Sequence, residues 1–217
     1  MRPAVLLFLL LAAVGAGLAV ALAGSGPSPR QPVLQPATVQ PENGPPAEAT
    51  FAGGCFWCVE EAFDHVPGVV STTSGYTGGH LANPSYQQVS SGGTGHAESV
   101  RVLYDPSVTS YEKLLDAFWH NIDPTDAGGQ FCDRGDSYRS AIFYHDAEQQ
   151  RLAEASKQSL ERSGRFDEPI ATQIVPAGEF YPAEEYHQDY YRKNPVRYKL
   201  YKWNCRRAQR LEQIWGT

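Results

Sequence analysis

Hydrophobic and polar positions change rhythm several times along this 217-residue chain, and each change marks an element. Residues 4–23 are an uninterrupted apolar run. Residues 24–48 are rich in Pro, Gly, Ser and Gln, show no period, and read as a semi-extended spacer. Periodicity begins at Ala49-Thr50-Phe51-Ala52, a short strand. Gly53 and Gly54 then permit a tight turn. Beyond it Phe56, Val59, Phe63 and Val66 recur at spacings of three and four, which predicts an amphipathic helix opening at Cys55. Residues 68–76 are rich in β-branched side chains and predict a second strand, whereas residues 77–95 are glycine-rich and aperiodic, and read as a loop long enough to be functional.

Residues 98–104 alternate. Glu98 falls on the same side as Val100, Val102 and Tyr104, which aims a carboxyl group at the core. Thr109-Ser110-Tyr111-Glu112 has the spacing of a capping box ahead of a helix carrying Leu114, Leu115, Phe118, Trp119 and Ile122. A loop over residues 123–136 precedes a strand over 138–144. Asp146 caps a helix toward Ser163 that Gly164 stops. A short strand over 170–175 follows, then a helix opened by Pro182 and carrying Glu184, Glu185, Tyr186, His187 and Tyr190. The basic, aromatic tail from Asn194 reads as long and irregular, ending in a short helical pattern with Leu211, Ile214 and Trp215. The mixture predicts an α+β two-layer sandwich, a small mixed sheet with a ferredoxin-like core and helices packed on it.

Composition narrows the function. The formal charge is −6 and the body before the tail has no basic cluster, so nucleic acid is not an expected partner. Arg2 precedes the apolar run and Ala21-Leu22-Ala23 ends it like a cleavage site, which reads as an export signal over residues 1–23. Its length also suits an uncleaved membrane anchor through residues 4–23. Either reading places the body, residues 49–217, beyond a membrane, in the periplasm or at the cell exterior, where disulfides persist. The body is one domain's worth of chain, and a monomer is the default expectation.

Cys55 carries the sharpest chemistry. At a helix N-terminus, unpaired amides and the helix dipole favour an anion, so its pKa is expected to fall and its thiolate to act as a nucleophile. Phe56 and Trp57 supply an apolar wall suited to a small apolar group, not to a sugar or phosphate. Glu98, buried without a cation, is expected to have a raised pKa and to donate a proton. Tyr86 and Tyr138 alone would be packing aromatics, and His96 and His187 read as packing or hydrogen-bonding residues. Four cysteines sharing one zinc would need a second Cys-x-x-Cys, so no metal is assigned.

Taken together, Gly54-Cys55-Phe56-Trp57, Gly75-Tyr76-Thr77-Gly78-Gly79, Asn83-Pro84-Ser85-Tyr86, Gly95-His96-Ala97-Glu98, Asp123-Pro124-Thr125 and the run from Asp133 to Ser140 resemble the peptide methionine sulfoxide reductase A family over residues 49–200. The resemblance implies reduction of the S epimer of methionine sulfoxide, free or in proteins, without a cofactor. It implies that Cys55 attacks the sulfoxide sulfur and that Glu98 protonates the departing oxygen. Tyr86 and Tyr138 would hydrogen-bond that oxygen, Asp133 would orient the substrate, and Phe56 and Trp57 would hold the methyl group. Attack leaves a sulfenic acid that a second thiol condenses to a disulfide, and the family usually reopens it with thioredoxin. Cys58 departs from many relatives. Three thiols compete to resolve Cys55, ranked Cys205 by its tail position, then Cys58 by helical proximity, then Cys132. The competing function is a general thiol–disulfide oxidoreductase built on Cys55 and Cys58.

Overall fold

The computed structural model describes residues 44–216. Strand β1 (Ala47–Gly53) begins two residues inside the stretch read as spacer and runs through the middle of a six-stranded sheet. It lies antiparallel between β3 (Ala97–Tyr104) and β6 (Ser140–Tyr144), with Phe51 opposite both Val100 and Ile142. Beyond β3 lies β2 (Val69–Thr77), also antiparallel. Helix α1 (Phe56–Asp64) connects β1 to β2, and α3 (Tyr111–Trp119) lies between β3 and β6. The chain order β1-α1-β2-β3-α3-β6 with the spatial order β6-β1-β3-β2 is the expected ferredoxin-like core. Helix α4 (Ala147–Arg162) leads to the parallel edge strand β7 (Gln173–Pro176), and the two-residue β8 (Tyr181–Pro182) closes the other edge.

Apolar spacing explains why α1 and α3 share one face of the sheet. Phe51 of β1 stacks on Phe63 of α1, ring centroids 4.8 Å apart, and on Phe118 of α3, 5.2 Å apart. All three rings are buried, each burial being worth about 2 kcal/mol.

Three local expectations are corrected. The box read at Thr109–Glu112 does not form: Ser110 is the N-cap of α3 without a side-chain bond. Thr109 packs at Gly68 instead and its buried hydroxyl has no partner. A complete capping box forms at Ser85 and Gln88, opening α2 (Tyr86–Ser90) inside the stretch read as loop. Pro182 opens no helix, because the Gln188 amide binds both backbone groups of Ser74 at 2.9 Å and holds Tyr181 and Pro182 against β2. Only a 3-10 turn, Glu185–His187, follows.

The tail is helical, not irregular. Helix α5 (Tyr190–Lys193) is followed by α6 (Pro195–Asn204) and α7 (Arg207–Trp215). Its weak apolar period hid it, because polar tips do the anchoring: the Tyr198 hydroxyl donates to Glu61 at 2.6 Å, Tyr191 to Asp64 at 2.7 Å, and Trp215 Nε1 to the Ile122 carbonyl at 3.1 Å. The apolar run over residues 4–23 lies outside the described residues. Among those described, no helix is long and apolar enough to cross a membrane.

Candidate active site

The turn from β1 into α1 sets the site. Gly54 has φ +82°, and a Cβ there would sit 2.5 Å from the Cβ of Gln130, so the backbone must be bare. Gln130 belongs to a small hairpin, β4 (Gly129–Gln130) and β5 (Asp133–Arg134), which orders the stretch read as loop. Its side-chain amide clasps the amide and carbonyl of Asp123, 2.8 Å each. The same packing that requires glycine before Cys55 therefore brings Asp133 to the site.

A cavity of about 270 Å³ opens at the start of α1. Cys55, Phe56, Trp57, Tyr86, Glu98, Asp133 and Tyr138 all line it, joined by Arg197 and Tyr201 of α6. Glu98 is buried, as its strand register predicts, and its Oε2 accepts the Phe56 amide at 3.1 Å. Desolvation, reinforced by the nearby charges of Asp133 and Cys58, pushes its pKa up to about 8. A protonated carboxyl group thus faces the cavity at neutral pH.

The cysteines depart from expectation. Cys55 is the N-cap of α1 and makes no side-chain cap bond, while the Phe56 amide serves Glu98. Burial, the neighbouring Cys58 and the charge of Glu98 push the Cys55 thiol up, opposite to the fall read from helix position alone. Cys58, one turn along and 3% exposed, is the lowered thiol, brought down to about 6. The hydrogen bond from Cys55 is the largest cause, and the positive charges of Arg207 and Lys202 add to it. Of the two thiols, Cys58 is therefore the one that gives up its proton more readily. Cys205 is bonded to Cys132 and is not the sulfur beside Cys55.

Aromatic rings frame the apolar side. Trp57 stacks on Tyr190 with centroids 3.7 Å apart and planes within 7°, and Tyr201 meets it edge-on at 5.7 Å. Its indole N–H donates to Nδ1 of buried His187 at 3.1 Å, which fixes the indole plane. Burial pushes the His187 pKa down, so it stays the neutral acceptor that this bond needs. Glu184 braces Tyr86 by accepting its amide at 2.9 Å and the Tyr76 hydroxyl at 2.8 Å. His96 only ties loops, through the Gly79 amide and the Leu81 carbonyl.

Tyr201 is the residue that sequence reading missed. Its hydroxyl donates to Asp133 and reaches the Cys55 sulfur. The available signal was Tyr198 and Tyr201 three apart in the tail, which places two phenols on one face of a helix.

The sequence profile of the family described as peptide methionine sulfoxide reductase matches residues 47–217. A peptide methionine sulfoxide reductase MsrA of Bacillus licheniformis is 58% identical over 168 residues, covering 77% of this chain and 93% of the relative. That of Bacillus subtilis is 56% identical, covering 78% and 96%. Among solved structures, methionine sulfoxide reductase A of Corynebacterium diphtheriae superposes with TM-score 0.64 at 34% identity, covering 79% of this chain and 87% of that one. Reduced Mxr1 of Saccharomyces cerevisiae gives 0.65 at 33% identity, covering 73% and 91%.

Proposed function

This chain belongs to the peptide methionine sulfoxide reductase family, and on that premise we propose how its residues divide the work. The enzyme reduces methionine sulfoxide to methionine, and the S epimer is its substrate, free or in proteins. Phe56 and Trp57 hold the methyl group, and the Tyr86 and Tyr138 hydroxyls bind the sulfoxide oxygen. Asp133, gripped by Tyr201, orients the substrate. Cys55 passes its proton to the Cys58 thiolate and attacks the sulfoxide sulfur, while Glu98 gives its proton to the oxygen. Methionine leaves and Cys55 becomes a sulfenic acid. Cys58 then condenses with it, forming the Cys55–Cys58 disulfide and releasing water, and Glu98 remains as carboxylate.

The observation that carries this reading is the protonated, buried Glu98 sharing one cavity with Cys55 and an aromatic wall. A sulfoxide oxygen leaves only when protonated, and the cavity supplies the acid. Burial of both sulfurs disfavours the general oxidoreductase, which must present a sulfur to protein disulfides. The test is the reduced body with separated S and R epimers of a methionine sulfoxide peptide. Methionine is expected from the S epimer alone, falling roughly a thousand-fold or more in Cys55→Ser. Methionine from neither epimer would overturn the reading.

The body works beyond a membrane, a reading supported by the apolar run over residues 4–23 and the proline-rich spacer. There a thioredoxin-like dithiol protein serves as reductant. Full-length native protein in the cytosolic soluble fraction would overturn the location.

A further inference from the structure

The outer face of α6 carries a stripe that the reaction does not use. Val196, Leu200 and Trp203, spaced by four and three, share one side of the helix and are largely exposed. The opposite side holds the helix to the body through Tyr198 and Tyr201. Large apolar side chains grouped on one exposed face mark an interaction surface. The surroundings of the stripe are basic. Eight lysines and arginines fall between Arg192 and Arg210 with no Asp or Glu among them, although the whole chain carries −6. Arg192, Lys202 and Arg210 reach back to Asp64, Glu61 and Asp123. Arg197, Lys199 and Arg206 are exposed and pair with no carboxylate among the described residues. Beside Trp203, where α6 meets α7, a cleft of about 820 Å³ is lined by Arg206, Arg210, Asn204, Gln209 and Gln213. Two guanidinium groups, three side-chain amides and no acid suit a phosphate group.

We propose that this face of α6 and the adjoining cleft dock the body on an anionic phospholipid surface, the stripe entering the interface while Arg206 and Arg210 take a headgroup phosphate. Two arguments commit the face to lipid. Trp and Leu on one side of a helix, with Lys and Arg around them, is the pattern of a helix that lies in a membrane interface. The chain ahead of β1 brings the lipid within reach. The apolar run over residues 4–23 is long enough to span a bilayer, and 23 further residues lead to Ala47. Fully extended, they reach about 80 Å. The proposal rests on the membrane location argued above and takes the run as an uncleaved anchor. A tethered body meets the bilayer at high effective concentration, so a modest interfacial affinity suffices. Arg197 and Tyr201 of the same helix line the reaction cavity. Docking therefore sets that cavity about one helix diameter, roughly 10 Å, from the headgroups, and directs it to methionine sulfoxide in membrane-adjacent segments of proteins.

The test reads Trp203. Full-length protein is reconstituted with vesicles of phosphatidylcholine alone or of equimolar phosphatidylcholine and phosphatidylglycerol, both with brominated acyl chains that quench a tryptophan at the interface. Of the four tryptophans, Trp119 and Trp215 are buried and Trp57 is half-buried, so Trp203 is the reporter. Stronger quenching is expected in the mixed vesicles, lost in Trp203→Phe and weakened as salt rises. Lys199→Gln combined with Arg206→Gln should shift the docked-to-undocked ratio about thirty-fold toward undocked, while turnover of a soluble sulfoxide peptide stays unchanged. Equal Trp203 quenching in the two vesicle types, with the protein retained on both, overturns the docking and leaves the membrane location standing. A Trp203 that ignores lipid but changes emission on adding an acidic thioredoxin-like protein assigns the face to a protein and overturns the proposal. Full-length protein retained on neither vesicle type overturns the anchor and the docking together. The wild-type comparison requires no variant to fold.

Discussion

The two walls of the cavity are built from different materials. The inner wall, β1, α1 and β3, is anchored in a continuous apolar cluster in which Phe51, Phe63, Leu114 and Phe118 are buried. The outer wall, α5 and α6, is anchored by polar tips: Tyr198 and Lys202 to Glu61, Tyr191 to Asp64, Tyr201 to Asp133. Val196, Leu200 and Trp203 of α6 are 73%, 58% and 70% exposed. Apolar burial fixes a reacting constellation because removing it opens a cavity. Hydroxyl–carboxylate bonds exchange readily for bonds to water and contribute about 1 kcal/mol each. A wall held that way can open to admit a peptide or another thiol without loosening the nucleophile's own support.

Substitutions sharpen or break this contrast. Phe118→Ala strikes the inner wall and should lower the unfolding free energy by about 3–5 kcal/mol in a denaturant titration. A cost below about 1 kcal/mol would show that the apolar cluster does not carry the inner wall. Glu98→Gln should keep the fold and cut kcat/KM by about a hundred-fold or more. The wild-type rate should fall as pH rises through about 8, where Glu98 ionises, and that alkaline limb should vanish in the variant. An unchanged limb would remove Glu98 from the role of acid. Tyr201→Phe strikes the outer wall, and a loss of about 1 kcal/mol is expected. Hydrogen exchange should rise in α6 but not in α1. Equal rises in both would break the distinction between the walls. Leu200→Ser is the smallest change and should alter stability by less than about 0.5 kcal/mol, because that side chain touches little.

What was legible follows the same division. Glu98 was placed correctly on the buried side because a strand has a two-residue period and Val100, Val102 and Tyr104 declare its face. Helix α1 and the core of α3 announced themselves by spacing. Helices α5 and α6 did not, since their inward residues are tyrosines whose anchoring atoms are hydroxyls, and such positions read as polar surface. The Thr109 box failed because a motif specifies which bond could form and not which neighbour takes the side chain first.

The sequence by itself determined the sheet core, the glycine turn ahead of Cys55, the aromatic pair beside it and the buried acid, because each depends on periodicity or on residues close together in the chain. Only the tertiary structure decided the state and pairing of the sulfurs. The Phe56 amide, which helix position alone would assign to a Cys55 thiolate, serves Glu98, and burial raises the Cys55 thiol. The Cys58 thiol is lowered first by the hydrogen bond from Cys55 and then by the charge of Arg207, which arrives there from the tail. Cys205 meets Cys132 across 73 positions of chain because α6 ends beside the β4–β5 hairpin. Charge and burial at a sulfur depend on atoms brought from distant parts of the chain, and spacing in a sequence does not record them.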